Sequence, residues 1–346
     1  MKGSGDVVRI AGRSVGEGFS TLVVAEIGNN HDGQLEQGLR LIEEAARCGV
    51  DAVKFQAHLA EAEMLEDNTV PPHFPEPRYQ FVKRMSLPRE AHEALRAAAL
   101  ARGVLYFCSP FSIEAVRMLE EVGVPCYKIA SGEVTNLPML RAIVRTGKPC
   151  ILSTGMSTMD EIAEAVDEIR RGGGECVLMQ CTSLYPAPYE RLNLRAIQSL
   201  RERFGCPVGL SDHSSEIYAP VAAAALGACV IEKHFTLDRG LYGPDHKASL
   251  PPPEMAEMVR AVRKIERAMG DGRKILQDDP LPMREVFQKS IVSAVDIPEG
   301  AVIQEEMLTT KKPGKGISAA RFDAVVGRRV RRFIPTHTLV REDDLE

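Results

Sequence analysis

The chain has no tryptophan, and aromatic residues fill only 5% of its 346 positions. It also has no uninterrupted apolar run near the ~20 residues that a membrane-spanning helix requires. Residues 1–18 are glycine-rich and polar, and they lack the apolar centre of a signal peptide. We therefore expect a protein without a membrane as partner.

Excess positive charge and paired cysteine motifs are absent as well. The 43 Lys and Arg residues are outnumbered by 48 Asp and Glu residues, for a net charge of −5, which disfavours a surface for nucleic acid. The eight cysteines are dispersed and form no CxxC motif. We expect them to be small buried side chains in a reducing compartment, which predicts a cytoplasmic location.

What the chain does have is eight short apolar runs, each of which stops on charged or hydroxyl residues. Strands buried on both faces have this continuous apolar composition. The runs cover residues 22–27, 52–55, 104–108, 124–129, 150–152, 177–181, 208–210 and 229–231. Helical patterns alternate with them at 34–47, 88–102, 113–122, 137–146, 158–171, 193–204, 217–226 and 253–269.

This alternation predicts an α/β fold, a (β/α)8 TIM barrel, over residues 1–270. In such a barrel the C-terminal ends of the strands surround one mouth, where the chemistry takes place. One interval, 57–87, is unusually long and contains Pro71, Pro72, Pro75 and Pro77. We interpret it as a loop over the mouth.

The pattern changes after residue 270. Residues 271–287 predict a polar linker, and residues 288–346 predict a small β-rich domain with a weak internal repeat. The sequence IPEGAVIQEEML at 297–308 matches IPTHTLVREDDL at 334–345. Each copy predicts a turn, a short strand and an acidic turn ending in leucine, so two related half-units would form one module.

Two histidines follow the seventh and eighth predicted strands, which are neighbours in a barrel. His213 and His234 could therefore bind one divalent metal and leave positions open for water or substrate. Oxygen-rich surroundings suit Mn²⁺, Mg²⁺ or Zn²⁺.

Lysine and serine residues at the strand ends predict a cradle for a phosphate or carboxylate group. The lysines are Lys54, Lys128 and Lys233, and the serines are Ser109, Ser131, Ser153, Ser183 and Ser211. A lysine at a barrel mouth could instead form a Schiff base or extend along the rim.

Three carboxylates complete the candidate site. Glu26 and Glu133 could orient a sugar hydroxyl or carry a proton, or could simply pair with a lysine. Asp245 lies in a tight turn after the eighth strand. Segment 311–332 has eight basic residues and one acid, Asp323, so it is either a solvated basic face or a lid for an anionic substrate.

Taken in order, the motifs resemble those of the bacterial sialic acid synthase family. The motifs are AEIGNNHDG at 25–33, VKFQ at 53–56, CSPF at 108–111, YKIASGE at 127–133, LSTGM at 152–156, CTSLYP at 181–186, GLSDH at 209–213, EKHFTLD at 232–238 and GPDH at 243–246. The tail resembles the antifreeze-like SAF module, a β-clip, that ends chains of this family.

The resemblance implies an aldol-like condensation of phosphoenolpyruvate with an N-acetylmannosamine-type sugar, which yields a sialic acid and phosphate. It assigns phosphoenolpyruvate to Lys54, Ser109, Lys128, Ser131, Ser153, Ser183 and Ser211, and a metal, usually Mn²⁺, to His213 and His234. Glu26, Tyr185, Asp245 and Lys312 would contact the sugar. Glu133 would lie close to the reacting carbons, and the tail would cover the site of the neighbouring protomer in a domain-swapped homodimer.

Three positions depart from the family pattern. Ser109 replaces a frequent threonine, Ser183 replaces an asparagine, and Lys312 replaces an arginine, which removes a planar fork of donors. The acceptor could therefore be a 2,4-diacetamido-6-deoxy sugar, leading to legionaminic acid. A metal-dependent hydrolase on the same barrel and a non-catalytic carbohydrate-binding protein remain the competing hypotheses.

Overall fold

A computed structural model describes residues 7–70, 76–276 and 281–346. The chain divides into two compact units, Met1–Gly270 and Asp271–Glu346. Within the described ranges no helix is long and apolar enough to cross a membrane. All eight cysteines lie in these ranges, and all are buried and free.

The first unit is the predicted barrel. Eight parallel strands close on themselves, each paired with its neighbours in sequence order and the last paired with the first. They are β3 Leu22–Gly28, β4 Ala52–Ala57, β5 Leu105–Pro110, β6 Tyr127–Ile129, β7 Cys150–Ser153, β8 Cys176–Cys181, β9 Val208–Asp212 and β10 Val230–His234. β9 and β10 extend beyond their apolar runs because the polar residues that follow continue the same backbone pairing.

Each barrel strand leads to one of the eight predicted helices, whose boundaries differ from the predictions by at most a few residues. These helices are α1 Leu35–Arg47, α4 Arg89–Ala101, α5 Ile113–Val122, α6 Leu137–Val144, α7 Met159–Arg171, α8 Ala196–Phe204, α9 Tyr218–Ala225 and α10 Pro252–Ala268. Their apolar faces pack on the outer face of the barrel in one continuous core.

The long interval after β4 is more ordered than the sequence suggested. It contains two helices, α2 Ala60–Glu63 and α3 Arg78–Met85. α3 buries Tyr79, Val82 and Met85, a helical spacing that the prolines obscured. Residues 71–75, and with them three of the four prolines, lie outside the described ranges.

An N-terminal hairpin, absent from the predicted elements, closes the end of the barrel opposite the mouth. β1 Val7–Ile10 and β2 Arg13–Gly16 are antiparallel and are joined through Ala11 and Gly12, both with positive φ. Val8, Ile10 and Val15 of the hairpin pack into the lower barrel interior.

The second unit contains the helix α11 Leu281–Phe287, within the predicted linker, followed by β11 Ser290–Ser293, β12 Leu308–Lys311 and the short helix α12 Phe322–Val325. β11 and β12 are antiparallel. The backbone N–H of Gly314 donates to the carbonyl of Glu285, which joins α11 to this unit at 2.7 Å.

The internal repeat is confirmed in three dimensions. Ile297 and Ile334, the first residues of the two copies, donate backbone hydrogen bonds to each other at 2.8 and 2.9 Å. The acidic turns Glu305–Met307 and Glu342–Asp344 occupy equivalent positions as 3-10 turns. Both final leucines are buried, so the copies pack as two halves of one core.

The capping box of α7 predicts a measurable contribution to stability. The Thr158 hydroxyl accepts from the Glu161 N–H at 3.3 Å, and the Glu161 carboxylate accepts from the Thr158 N–H at 2.7 Å. Thr158→Ala should lower the free energy of unfolding by about 1 kcal/mol, because one N–H loses its acceptor. Urea unfolding followed by circular dichroism checks this. Thr158→Ser should retain most of the stability, and equal loss in both variants would contradict the capping role.

Candidate active site

One cavity of about 350 Å³ opens at the C-terminal ends of the barrel strands. All but one of the barrel residues assigned above to substrate, metal or catalysis line it. These residues are Glu26, Lys54, Ser109, Lys128, Ser131, Glu133, Ser153, Ser183, Tyr185, Ser211, His213, His234 and Asp245. The barrel closure thus gathers side chains from the whole length of the first unit.

Lys233 is the exception, and its assignment to the anion cradle was wrong. Side chains along a strand alternate between its two faces. Glu232 and His234 line the cavity, so Lys233 between them points away, and its ammonium group pairs with Asp212. Lys312 belongs to the second unit, where its ammonium group lies 4.9 Å from the centre of the Phe287 ring.

Glu232 is a central residue of the cavity that the sequence reasoning missed. Its carboxylate lies 3.7 Å from the Lys54 ammonium group and 3.6 Å from that of Lys128, and it accepts from the Ser211 hydroxyl at 3.0 Å. Burial alone would raise its pKa, but the two lysines lower the pKa below its usual value. Strand alternation from His234 would have identified it.

A second carboxylate completes this buried charge cluster. Glu26 lies 3.0 Å from the Lys54 ammonium group and accepts from the Gln56 amide at 2.9 Å. Burial raises the pKa of Glu26 to about 7, although Lys54 opposes the rise. Burial lowers the pKa of Lys128, whereas Glu232 and Glu26 raise that of Lys54 against its burial.

The serine hydroxyls extend the cluster along the cavity wall. The ammonium groups of Lys54 and Lys128 donate to Ser109 at 3.1 Å and to Ser153 at 2.6 Å. Ser131 accepts from the Gly155 N–H at 3.0 Å. A Cβ atom at Gly155 would lie 2.5 Å from the Ser183 hydroxyl oxygen, so this glycine lets Ser183 approach the same wall. Ammonium and hydroxyl donors arranged in this way suit an oxygen-rich anion.

The two histidines lie beside this cluster, with ring centres 5.2 Å apart. His213 Nδ1 is 2.8 Å from the Thr182 carbonyl oxygen, so in the neutral ring this nitrogen carries the proton and Nε2 keeps its lone pair. His234 Nδ1 is buried and has no hydrogen-bond partner among the described residues. Burial lowers the pKa of His234 well below its usual value, which leaves a neutral ring.

This donor set fits a divalent cation with few protein ligands. Neutral imidazoles are metal ligands, and a carbonyl that fixes the tautomer of one of them is a common outer partner. The Asp245 carboxylate lies 3.9 Å from His234 Nδ1. Across the described residues no group of three or more His, Cys, Asp or Glu side chains has metal-binding geometry, so substrate or water would complete the coordination.

The rest of the cavity lining combines polar and apolar groups. Tyr185 stacks on His213 with ring centres 4.1 Å apart, and the Glu133 carboxylate accepts from Asn136 at 2.7 Å. Burial raises the pKa of Glu133. Beyond the predicted residues, the lining also includes His58, Arg78, Phe81, Val82, Phe111 and Met156. The helix α3 supplies three of them, and no local motif signals their role.

Comparison with known families gives two matches along the chain. The NeuB family matches residues 41–274. The SAF domain matches residues 288–346. Together these two matches span most of the chain.

Relatives of known name cover nearly the whole chain. It is 41% identical to N,N'-diacetyllegionaminic acid synthase of Campylobacter jejuni, over 93% of this chain and 99% of that protein. It is 37% identical to human N-acetylneuraminate-9-phosphate synthase, over 92% and 91%. A crystal structure of N-acetylneuraminic acid (sialic acid) synthetase from Leptospira borgpetersenii, in complex with citrate, has 33% identity and a TM-score of 0.73 over 81% and 95% of the two chains.

The charge cluster predicts an unusual response of Glu232→Gln. Removing this carboxylate leaves the buried Lys54 and Lys128 ammonium groups undercompensated, so the unfolding free energy should fall by about 3–5 kcal/mol. Inorganic phosphate should raise the melting temperature more in the variant than in the wild-type protein, because the anion replaces the lost charge. Thermal unfolding with and without phosphate measures both effects.

A surface pair provides the control. The Glu121 carboxylate pairs with Arg89 at 2.5 Å in an exposed position, and Glu121→Gln should cost at most about 1 kcal/mol. Equal losses in the two variants, or no added effect of phosphate in Glu232→Gln, would contradict the role assigned to the cluster.

Proposed function

Because the chain belongs to the NeuB family, we propose that it condenses phosphoenolpyruvate with an N-acetylmannosamine-type sugar. The products are a sialic acid, N-acetylneuraminate or a close relative, and phosphate. The supporting observation is the proximity of two sites within one cavity, namely the Lys54–Lys128 cluster with its serines and the His213–His234 pair. The lysine and serine cluster suits a polyanionic donor. The histidine pair lies beside it, where an aldehyde could react with that donor.

The donor is held by charge and hydroxyl groups without a covalent bond. Lys54 and Lys128 neutralise the phosphate and carboxylate of phosphoenolpyruvate, and Ser109, Ser131, Ser153, Ser183 and Ser211 donate hydrogen bonds to their oxygens. Charges already in place stabilise the build-up of negative charge without reorganisation. In the overall reaction the methylene carbon of phosphoenolpyruvate bonds to the aldehyde carbon, and the aldehyde oxygen takes a proton to become a hydroxyl. Water adds to the carbon that carries the phosphate, and loss of phosphate and a proton leaves the keto group of the acid.

His213 and His234 would hold a divalent cation, for which we favour Mn²⁺. When bound, the cation supplies Lewis-acid polarisation of the open-chain aldehyde oxygen. Glu26 and Glu133 contribute catalytic carboxylates on either side of the reacting groups. The carboxylate of Glu26, with a pKa raised to about 7, can hold or release a proton near neutral pH.

The acceptor contacts Tyr185 and Asp245 beside the histidines, together with Glu26. A specific observation also favours a second acceptor, a 2,4-diacetamido-6-deoxy sugar. The cavity lining includes the apolar side chains of Phe81, Val82, Phe111 and Met156, which suit a deoxy methyl group better than a hydroxymethyl group. The naming of the C. jejuni relative as a diacetyllegionaminic acid synthase supports the same choice.

An acceptor panel tests the function. Purified protein with Mn²⁺ and phosphoenolpyruvate should release phosphate only when a suitable sugar is added, and mass spectrometry should identify a nonulosonic acid. N-acetylmannosamine and the diacetamido-deoxy sugar are compared directly by kcat/KM. Absence of phosphate release with every acceptor would refute the proposal, and hydrolysis without condensation would favour a hydrolase.

Two variants separate the metal from the donor in this assay. His213→Ala should remove nearly all turnover yet retain phosphoenolpyruvate binding, whereas Lys128→Met should weaken that binding itself. Unchanged activity of His213→Ala with added metal would refute the metal role.

We also propose a domain-swapped homodimer in the cytoplasm, where the tail of one protomer covers the cavity of the other and Lys312 contacts the sugar. The free cysteines suit a reducing compartment. Lys54→Met and Lys312→Ala should each be inactive alone. Coexpressed, they should recover activity, because one site of each mixed dimer then has both lysines.

Sedimentation and a matched coexpression complete this test. Lys54→Met with Lys128→Met should show no recovery, since both changes lie in the barrel and no mixed dimer then has an intact site. A monomer in sedimentation, or no recovery with Lys312→Ala, would contradict the swapped arrangement.

A further inference from the structure

The lysine that points away from the cavity has its own buried partners. The Lys233 ammonium group lies 2.5 Å from the Asp212 carboxylate, and neither side chain has any exposed surface. It also donates to the backbone carbonyl of Ser214. Lys233 and Asp212 are direct neighbours across β10 and β9, so the ion pair joins these two strands on the outer face of the barrel.

The position of the pair in the strands links it to the histidines. Asp212 immediately precedes His213, and Lys233 immediately precedes His234. Glu232 and Ser211 form the preceding row of the same two strands and face inward. The ion pair is therefore the last paired row of the β9–β10 ladder, and the two histidines are the residues that come next.

His213 lies beyond the end of β9, so other contacts must fix its backbone. The Ser214 N–H donates to Asp212 Oδ1 at 3.1 Å and its hydroxyl donates to Oδ2 at 2.7 Å. In addition, the Lys233 ammonium group donates a hydrogen bond to the Ser214 carbonyl oxygen. Of the two residues that flank His213, Asp212 therefore belongs to the ion pair and Ser214 is hydrogen-bonded to both of its members. The pair is anchored in β10, the strand that carries His234.

Stability alone is a weak reason for such a pair. Removing two charges from water costs energy that their attraction often fails to exceed, and apolar replacements are frequently as stable. A buried pair of this kind is better explained by the geometry that it imposes. We propose that Lys233 is a positioning residue that, through Asp212 and Ser214, sets the spacing of His213 and His234 for a divalent cation; this rests on the proposed function.

Metal affinity and stability respond differently in two variants. Lys233→Met should lower the melting temperature, because Asp212 is left unpaired, and should weaken Mn²⁺ binding by about 10–100-fold. The double variant Lys233→Met/Asp212→Asn has no unpaired charge, but it still lacks the hydrogen bond from Lys233 to the Ser214 carbonyl. Its melting temperature should recover in large part, while its Mn²⁺ affinity stays low. Calorimetric titration of the full chain with Mn²⁺ and thermal unfolding give the two values.

Phosphoenolpyruvate binding without metal is the control measurement, because we expect its affinity to be unchanged in both variants. Its dissociation constant should stay within about threefold of the wild-type value in both variants, since the cradle residues keep their own contacts. Lys148→Met, at the partly exposed pair with Glu120, should change neither affinity.

The outcomes separate the proposals. Recovery of Mn²⁺ affinity together with stability in the double variant would mean that Lys233 serves stability only, and this would overturn the inference. Unchanged Mn²⁺ affinity in both variants would overturn it as well, as would a wild-type protein that does not bind Mn²⁺. A protein that binds Mn²⁺ as expected but releases no phosphate with any sugar would refute the condensation and leave the positioning role standing.

Discussion

The cavity depends on four charges that neutralise one another away from water. Glu232 lies between Lys54 and Lys128, and Glu26 lies against Lys54. Without the carboxylates, two ammonium groups at the centre of a barrel would repel each other and lose their hydration. Without the lysines, burial would raise the pKa of both carboxylates. The balance allows a folded protein to bury two ammonium groups that can donate to an anion.

The same cluster shows how far sequence reasoning reaches. The apolar runs and their polar ends predicted the barrel and most of the cavity, because barrel closure brings all strand ends to one mouth. The error at Lys233 arose from treating every polar residue near a strand end alike. On a strand, only every second side chain faces inward. If His234 faces the cavity, Glu232 must face it too, and Lys233 must point away.

Other features depended on contacts that no local pattern encodes. The hairpin of β1 and β2 is stable because Val8, Ile10 and Val15 find apolar partners inside the barrel. α3 is short, and its place in the cavity wall follows from packing. The repeat of the second unit, in contrast, could be read from the sequence, because each half must present the same apolar residues to a shared core. The site roles of Lys312 and the tail stay predictions.

The hairpin that closes the lower end of the barrel also has a kinetic consequence. Among the described residues, the hairpin and the barrel core that it packs against close the lower end, which leaves the mouth as the route for a ligand. Lys54, Lys128, Ser109, Ser153 and Ser211 are buried almost completely, whereas Ser131, Ser183, Tyr185 and Glu133 are only partly buried. Under the proposed function, a sugar seated against Tyr185 and Glu133 would lie between the mouth and the two lysines. Phosphoenolpyruvate would then have to enter before the sugar, and phosphate could leave only after the new acid.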